Sequence, residues 1–181
     1  MVCLGLKGGI GSASRILTVD GRQYHIGSLV LSNFGAAGNL VIGGQHIDTR
    51  LAREYLQNET DRDTGSIIIL LATDLPLNER QLKRVASRAS IALGRVGSFC
   101  GNGSGDIAIA FTTANRVPHY HDTSILPMQM FFDENIDPVF EAAAEAAEEA
   151  ILSSLWHAET TTGRDGRTWM GLQDFLKHYL R

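Results

Sequence analysis

Gly65-Ser66-Ile67-Ile68-Ile69-Leu70-Leu71-Ala72-Thr73-Asp74 is the stretch whose reading decides the fold. Positions 67–72 are apolar throughout and rich in β-branched side chains, the pattern of a strand covered on both faces. The eight residues before Ser66, Asn58-Glu-Thr-Asp-Arg-Asp-Thr-Gly65, carry no apolar side chain and read as a solvated loop. A small hydroxyl nucleophile therefore stands at the mouth of a buried strand. If the Gly65–Ser66 bond is cut, the freed α-amine, with an ordinary pKa near ~8, is a general base held against its own hydroxyl. Gly65, lacking Cβ, permits strained backbone and lets that hydroxyl attack the preceding carbonyl. A glycine turn with a serine opening a strand accounts for the same letters.

Outward from this strand, 24–31 and 39–42 read as short strands joined by the turn-prone Ser32-Asn33-Phe34-Gly35. Asp48 caps a short helix through about Gln57. Asn78 caps an amphipathic helix to about Leu93, with Leu82, Val85, Ala86, Ala89 and Leu93 on one face and Gly94 and Gly97 ending it. Residues 106–112 form a second central strand, with Ile107, Ile109 and Phe111 on one face and small residues on the other. A long helix starts at Asp137, has Pro138 in its first turn, and runs to about Thr160. A weaker one covers 171–179. Helices packed on one or both faces of stacked sheets is the expected architecture, in one domain over 1–181.

The 181 residues are 44% hydrophobic and 20% charged, with a net charge of −4. Sixteen basic residues against twenty acidic, with no Lys/Arg run, give no footprint for a phosphate backbone or an anionic membrane. No apolar run approaches the roughly 20 residues of a membrane span. Cys3 and Cys100 form neither a disulfide framework nor a zinc cluster, which points to a reducing compartment. Gly8-Gly9-Ile10-Gly11-Ser12-Ala13-Ser14 lacks the Lys-Ser/Thr ending of a phosphate-binding loop and reads as a tight glycine turn against packed backbone. His119-Tyr120-His121, beside Pro118 and without a carboxylate cluster, reads as exposed loop rather than as metal ligands. No Gly-x-Ser-x-Gly elbow is present. The glycine-rich start at Met1 has the character of chain interior rather than of a polar, frayed terminus.

Five segments occur in order: Lys7-Gly-Gly-Ile-Gly-Ser-Ala-Ser-Arg15, Ser32-Asn-Phe-Gly35, Gly65-Ser-Ile-Ile-Ile-Leu-Leu-Ala-Thr-Asp74, Gly103-Ser-Gly-Asp-Ile-Ala-Ile-Ala-Phe111 and Ala158-Glu-Thr-Thr-Thr-Gly-Arg-Asp-Gly166. Together they resemble the L-aminopeptidase/D-esterase family, the DmpA-like β-aminopeptidases. The resemblance implies an α-β-β-α sandwich of the kind shared with ornithine acetyltransferases, an α/β fold. It also implies a precursor that cuts itself at Gly65–Ser66, leaving 1–65 as the end of one chain and 66–181 as the other. Ser66 would be the nucleophile, releasing N-terminal residues from short peptides, amides or esters through an acyl-enzyme. Ser104 and Asp106 match the family's supporting serine and acid. Two apart, they share a face of the strand start, so that Asp106 can orient Ser104 towards the Ser66 amine or hydroxyl. Asn33 matches the amide of the oxyanion hole. Asp74 and the Thr162-Gly163-Arg164-Asp165-Gly166-Arg167 segment read as turns.

The same resemblance implies no metal, no organic cofactor and homo-oligomers of the full-length form, while the two cysteines make a cytoplasmic setting the simplest expectation, with a periplasmic one if a signal precedes these residues. Family precursors are roughly twice this length, by comparison of the motif order. The chain therefore reads as their C-terminal half, with an incomplete sandwich and exposed sheet edges. The family's oxyanion-assisting tyrosine has no match among Tyr24, Tyr55, Tyr120 and Tyr179. Rival readings are an acyltransferase of the ornithine acetyltransferase kind, which has threonine at the cut, a pantetheine-type amide hydrolase, and a non-catalytic binding domain that never cleaves.

Overall fold

Asp20 and Gly21 both adopt positive φ, 50° and 76°, and close a two-residue hairpin between the two longest strands. In the computed structural model, which describes residues 1–55 and 65–179, these strands anchor everything else. The elements run β1 (Val2–Cys3), β2 (Leu6–Lys7), β3 (Ile10–Val19), β4 (Arg22–Asn33), β5 (Leu40–Ile42), β6 (Gln45–Ile47) and a 3-10 helix (Thr49–Tyr55). After them come β7 (Ser66–Thr73), α1 (Glu79–Ala86), α2 (Ala89–Arg95), β8 (Ile107–Thr112), a 3-10 turn (Asp133–Asn135) and α3 (Asp137–Trp156). The hairpin β9 (Thr161–Thr162) and β10 (Thr168–Trp169) then leads to α4 (Leu172–Tyr179). The main sheet has the order β3-β4-β7-β8, antiparallel except for the parallel pair β7/β8 that α1 and α2 connect.

Helix α3 lies across β3 and β4 at a distance that only small residues allow. A Cβ on Gly11 would stand 2.1 Å from the Ala150 carbonyl and 2.4 Å from the Ser154 nitrogen. Its alanines 142, 143, 144, 146, 147 and 150 are all buried, so the helix is apolar over most of its circumference. Ser32 and Ser154 share a buried hydroxyl pair at 2.7 Å. Arg15 clamps the outer rim by binding Glu145 at 2.8 Å and Glu149 at 2.6 Å, and those two hydrogen bonds raise its pKa. Residues 10–14 of the segment 8–14 are thus strand rather than glycine turn, although its close backbone packing is as expected.

Among the described residues the sheet is covered on one face only. On the other, Ile10, Leu31, Ile68 and Ile107 form a row across all four strands, and Leu29, Leu70 and Ile109 form the next. Ile68 is 40% exposed and Ile107 52%. The expectation that 67–72 is covered on both faces is therefore corrected: β7 is apolar throughout, but the side that carries Ile68 is left exposed by the described residues. Strand β8 is likewise an edge strand among the described residues and not a central one. Its small side, Ala108 and Ala110, faces the helix layer, while Ile107, Ile109 and Phe111 are exposed.

The helix expected over 78–93 divides at Ser87 and Arg88 into α1 and α2. Asn78 caps α1 in a reciprocal box with Gln81. Gln81 is fully buried and bonds the Phe131 carbonyl at 2.7 Å and Asp133 at 2.6 Å. The helix expected from Asp48 is 3-10, with Asp48 accepting from the Arg50 N–H, and its end at Gln57 lies outside the described residues. So does the loop 58–65, apart from Gly65. Among the described residues no helix is long and apolar enough to cross a membrane.

Candidate active site

Strand β4 ends at Asn33 and β7 begins at Ser66, and the antiparallel register places these two residues opposite one another. The chain thus brings a hydroxyl and an amide to one corner of the sheet from positions 33 residues apart. Val2 donates its backbone N–H to Asn33 Oδ1 at 2.9 Å. That contact orients the amide, with its oxygen towards Val2 and its two N–H donors on the other side.

The parallel neighbour β8 supplies the third side. Ser104 donates its hydroxyl to Asp106 Oδ1 at 2.6 Å, and the same oxygen accepts the Ile67 N–H at 3.2 Å. Asp106 therefore joins the serine of one strand start to the backbone beside Ser66 on the next. Both side chains are half-buried and border a cavity of about 290 Å³ on the helix side of the sheet, beneath Ile69 and Leu93. The orienting of Ser104 by Asp106 is as expected. The hydrogen bond to the Ser66 hydroxyl comes from elsewhere: Gly105 donates its backbone N–H to Ser66 Oγ at 3.0 Å.

Gly65 is held by shape. A Cβ there would lie 1.8 Å from the Asn33 carbonyl oxygen and 3.1 Å from Phe34 Cα. No side chain fits, so the backbone of the Gly65–Ser66 junction lies directly on the end of β4. Five residues from three strand ends thus converge: Asn33, Gly65, Ser66, Ser104 and Asp106. Chemically, the corner offers a hydroxyl, an amide donor, a backbone donor and a carboxylate-bound second hydroxyl, which is the equipment for attack on a carbonyl and stabilisation of the oxyanion that results.

The other candidates fall away from this corner. Asp74 lies just past the far end of β7, about 26 Å from Ser66 along the strand at ~3.3 Å per residue. It accepts the His25 N–H at 2.6 Å and faces the imidazole at 3.4 Å. Burial pushes its pKa up, but the backbone and imidazole hydrogen bonds of His25 outweigh that and hold it below the usual carboxylate value. Asp74 is thus the turn former expected. His119 and His121 are in exposed loop, and no metal-holding group of His, Cys, Asp and Glu occurs among the described residues. Gly166, at φ 78°, turns the β9/β10 hairpin, with Arg164 and Arg167 exposed. Sequence reasoning missed Gly105 and Val2. The register Ile68↔Ile107 sets Gly105 beside Ser66, and no local pattern encodes that register.

Against known proteins, the model for peptidase family S58 matches residues 1–169. A β-peptidyl aminopeptidase BapA of Sphingosinicella microcystinivorans is 39% identical over 198 residues, which takes in 100% of this chain and 50% of that protein. The solved PH0078 protein of Pyrococcus horikoshii OT3 superposes with a TM-score of 0.83 at 46% identity, covering 98% of this chain and 48% of the other. The L-aminopeptidase D-ala-esterase/amidase of Ochrobactrum anthropi, described as a prototype for the serine aminopeptidases and a new variant of the Ntn hydrolase fold, gives 0.81 at 40% identity. It is matched over 100% of this chain and 51% of its own. The mixed α/β arrangement is that of these neighbours, and the chain spans about half the length of the curated relatives it matches.

Proposed function

The chain belongs to peptidase family S58, and on that premise we propose that it carries the nucleophile half of a self-processing serine aminopeptidase. Ser66 attacks the Gly65 carbonyl: the Oγ–C bond forms, the C–N bond breaks, and the hydroxyl proton passes to the departing nitrogen. Water then hydrolyses the ester, leaving a Gly65 carboxylate and Ser66 with a free hydroxyl and a free α-amine. In turnover that amine, of ordinary pKa near ~8, takes the hydroxyl proton as Ser66 attacks the substrate carbonyl, and returns it to the leaving amine. The acyl-enzyme is cleared by water.

Asn33 is assigned to the oxyanion, because Val2 already holds its oxygen and leaves the amide N–H groups for the developing charge. Ser104, bonded to Asp106, is assigned to hold the new amine in place. Substrates are short peptides, amides or esters whose first residue is a small L-, D- or β-amino acid. The reaction calls on no metal or organic cofactor, and no nucleic acid or membrane enters it. Both cysteines are thiols, which fits a cytoplasmic setting. A homo-oligomer is assigned to the full-length form only, in which 1–65 and 66–181 belong to different chains after the cut.

The observation that carries this reading is the convergence of Asn33, Ser66, Ser104 and Asp106 on one corner of the sheet. Serine rather than threonine at the cut separates it from the ornithine acetyltransferase kind. The test is the intact mass of wild type and Ser66→Ala, for this chain and for one joined to the N-terminal half of a family precursor. Cleavage divides this chain into pieces of roughly 7 and 13 kDa and releases the same ~13 kDa piece from the joined form, by proportion of length, and Ser66→Ala abolishes these products. Absence of cleavage in both folded wild-type forms returns the chain to a non-catalytic binding domain.

A further inference from the structure

We propose that the backbone N–H of Gly105 is a positioning donor for the nucleophile, holding Ser66 Oγ in one orientation and favouring its ionised form. The proposal rests on Ser66 being the nucleophile. Two residues before the Ile68↔Ile107 pair, the parallel strands bring Ser66 alongside Gly105. The donor then lies 3.0 Å from Ser66 Oγ.

Three features make this more than an incidental contact. The donor is main-chain and is set by the sheet register, so it loses no side-chain freedom when the hydroxyl reacts. The residue is glycine at the position where a side chain would crowd the nucleophile: a Cβ on Gly105 would be 3.2 Å from Ser66 Oγ. The loop behind it is fixed independently, by Ser104 donating its N–H to the Gly101 carbonyl at 2.8 Å and its hydroxyl to Asp106. Ser104 and Asp106 thus grip the strand start while Gly105, between them, faces Ser66. With one lone pair of Oγ taken by an N–H, the hydroxyl proton is directed away from Gly105. As negative charge grows on Oγ, the bond strengthens towards that of a charged acceptor.

The experiment replaces a single amide by an ester, with glycolic acid in place of Gly105. This removes the N–H and leaves the chain's shape. A matched ester at Ser104 removes instead the donor of the turn bond to Gly101. Each is made in the wild-type chain and in a Ser66→Cys background, where the thiol reports its own ionisation through the pH dependence of its alkylation. With the ester at 105, alkylation near neutral pH slows by roughly tenfold, equivalent to about one pH unit in the thiol's titration, while the ester at 104 stays within about twofold. Wherever the parent cleaves, the ester at 105 also slows cleavage by roughly 10- to 100-fold. An unchanged thiol titration overturns the proposal, and so does an equal shift from the ester at 104, because loop shape would then explain both. Failure of the wild-type chain to cut at Gly65–Ser66 counts against the aminopeptidase reading alone, since the thiol titrates in the cut and the uncut chain alike.

Discussion

Replacing Gly65 by alanine adds one methyl group to the most confined backbone position of the site. Ordinary contact for a Cβ begins near 3.4 Å, and this one would start 1.8 Å from the Asn33 carbonyl oxygen. The end of β4 or the start of β7 must therefore give way by about 1.6 Å, the difference between those distances. Both neighbours are backbone, so no side-chain rotation relieves the overlap. Forced rearrangement of this kind costs about 1–3 kcal/mol, or roughly 2–12 °C in Tm for a chain of this size. The larger effect is on chemistry. The Ser66 Oγ contact with Gly105 is 3.0 Å and tolerates only a few tenths of an ångström before it ceases to be a hydrogen bond. A displacement near 1 Å costs on the order of 100-fold in rate. An alanyl carbonyl is chemically close to a glycyl one, so the loss is geometric. The assay pairs a thermal melt with a time course of intact mass, in a form that cleaves as wild type. Gly65→Ala that melts within about 1 °C of wild type and cuts at the parental rate would refute the reasoning.

Asn33→Ala removes the proposed oxyanion donor while leaving the strand intact; turnover of a dipeptide amide falls by roughly 10²–10³-fold with kcat taking most of the loss, as steady-state kinetics of the full-length form will show. Gly11→Ala forces α3 off β3 and destabilises the chain by about 1–3 kcal/mol without touching the site, read by denaturant unfolding. Asp133 has a lowered pKa, first through Gln81 and then through Arg80. Its folded pKa lies below the unfolded value, so the contribution is full above about pH 4 and is lost as pH falls through the folded pKa. Asp133→Asn therefore loses less Tm than wild type between pH 6 and pH 3. Ile109→Lys, on the open face, changes stability by less than about 0.5 kcal/mol and reduces self-association, measured by light scattering.

Much of this was legible in the sequence because it is local. The Asn78 cap, the apolar run after Ser66, the long helix opened by Asp137-Pro138 and the Asp165-Gly166 turn all announce themselves within a few residues. Strand β3 did not. Its inward positions include Gly11 and Ala13, kept small because a helix 130 residues further on passes close by, as Arg15 to Glu145 marks. Its outward positions include Ser12 and Ser14, so that the segment carries the composition of a loop. The Asp20-Gly21 hairpin signal was present and pointed to it. Gln81 is another such case. A polar residue on an amphipathic helix belongs outside unless a distant backbone satisfies it, and its partner, the Phe131 carbonyl, lies 50 residues away. At the site, the motif order supplied the candidate residues, whereas the choice of Gly105 over Ser104 as donor to Ser66 depends on strand register.

Parity along the strands adds a constraint on how the site is completed. Ser66 and Asn33 project from the same face as Ile68 and Leu31, each two residues further along its strand. That face carries the exposed apolar rows, whereas Ser104 and Asp106 border the cavity on the helix side. Leu31 and Ile68 are 36% and 40% exposed, so covering what remains of each is worth roughly 0.5–1.2 kcal/mol, and a layer that fits the whole of both apolar rows gains several such increments. Such a layer reaches within one residue pair of Ser66, and on the proposed function it becomes a wall of the space in which substrate binds. Covering the sheet and finishing the active site are then one event. A substitution such as Ile68→Ser, which weakens the covering of the face, should depress activity of the full-length form as well as its stability, although its side chain takes no part in the chemistry.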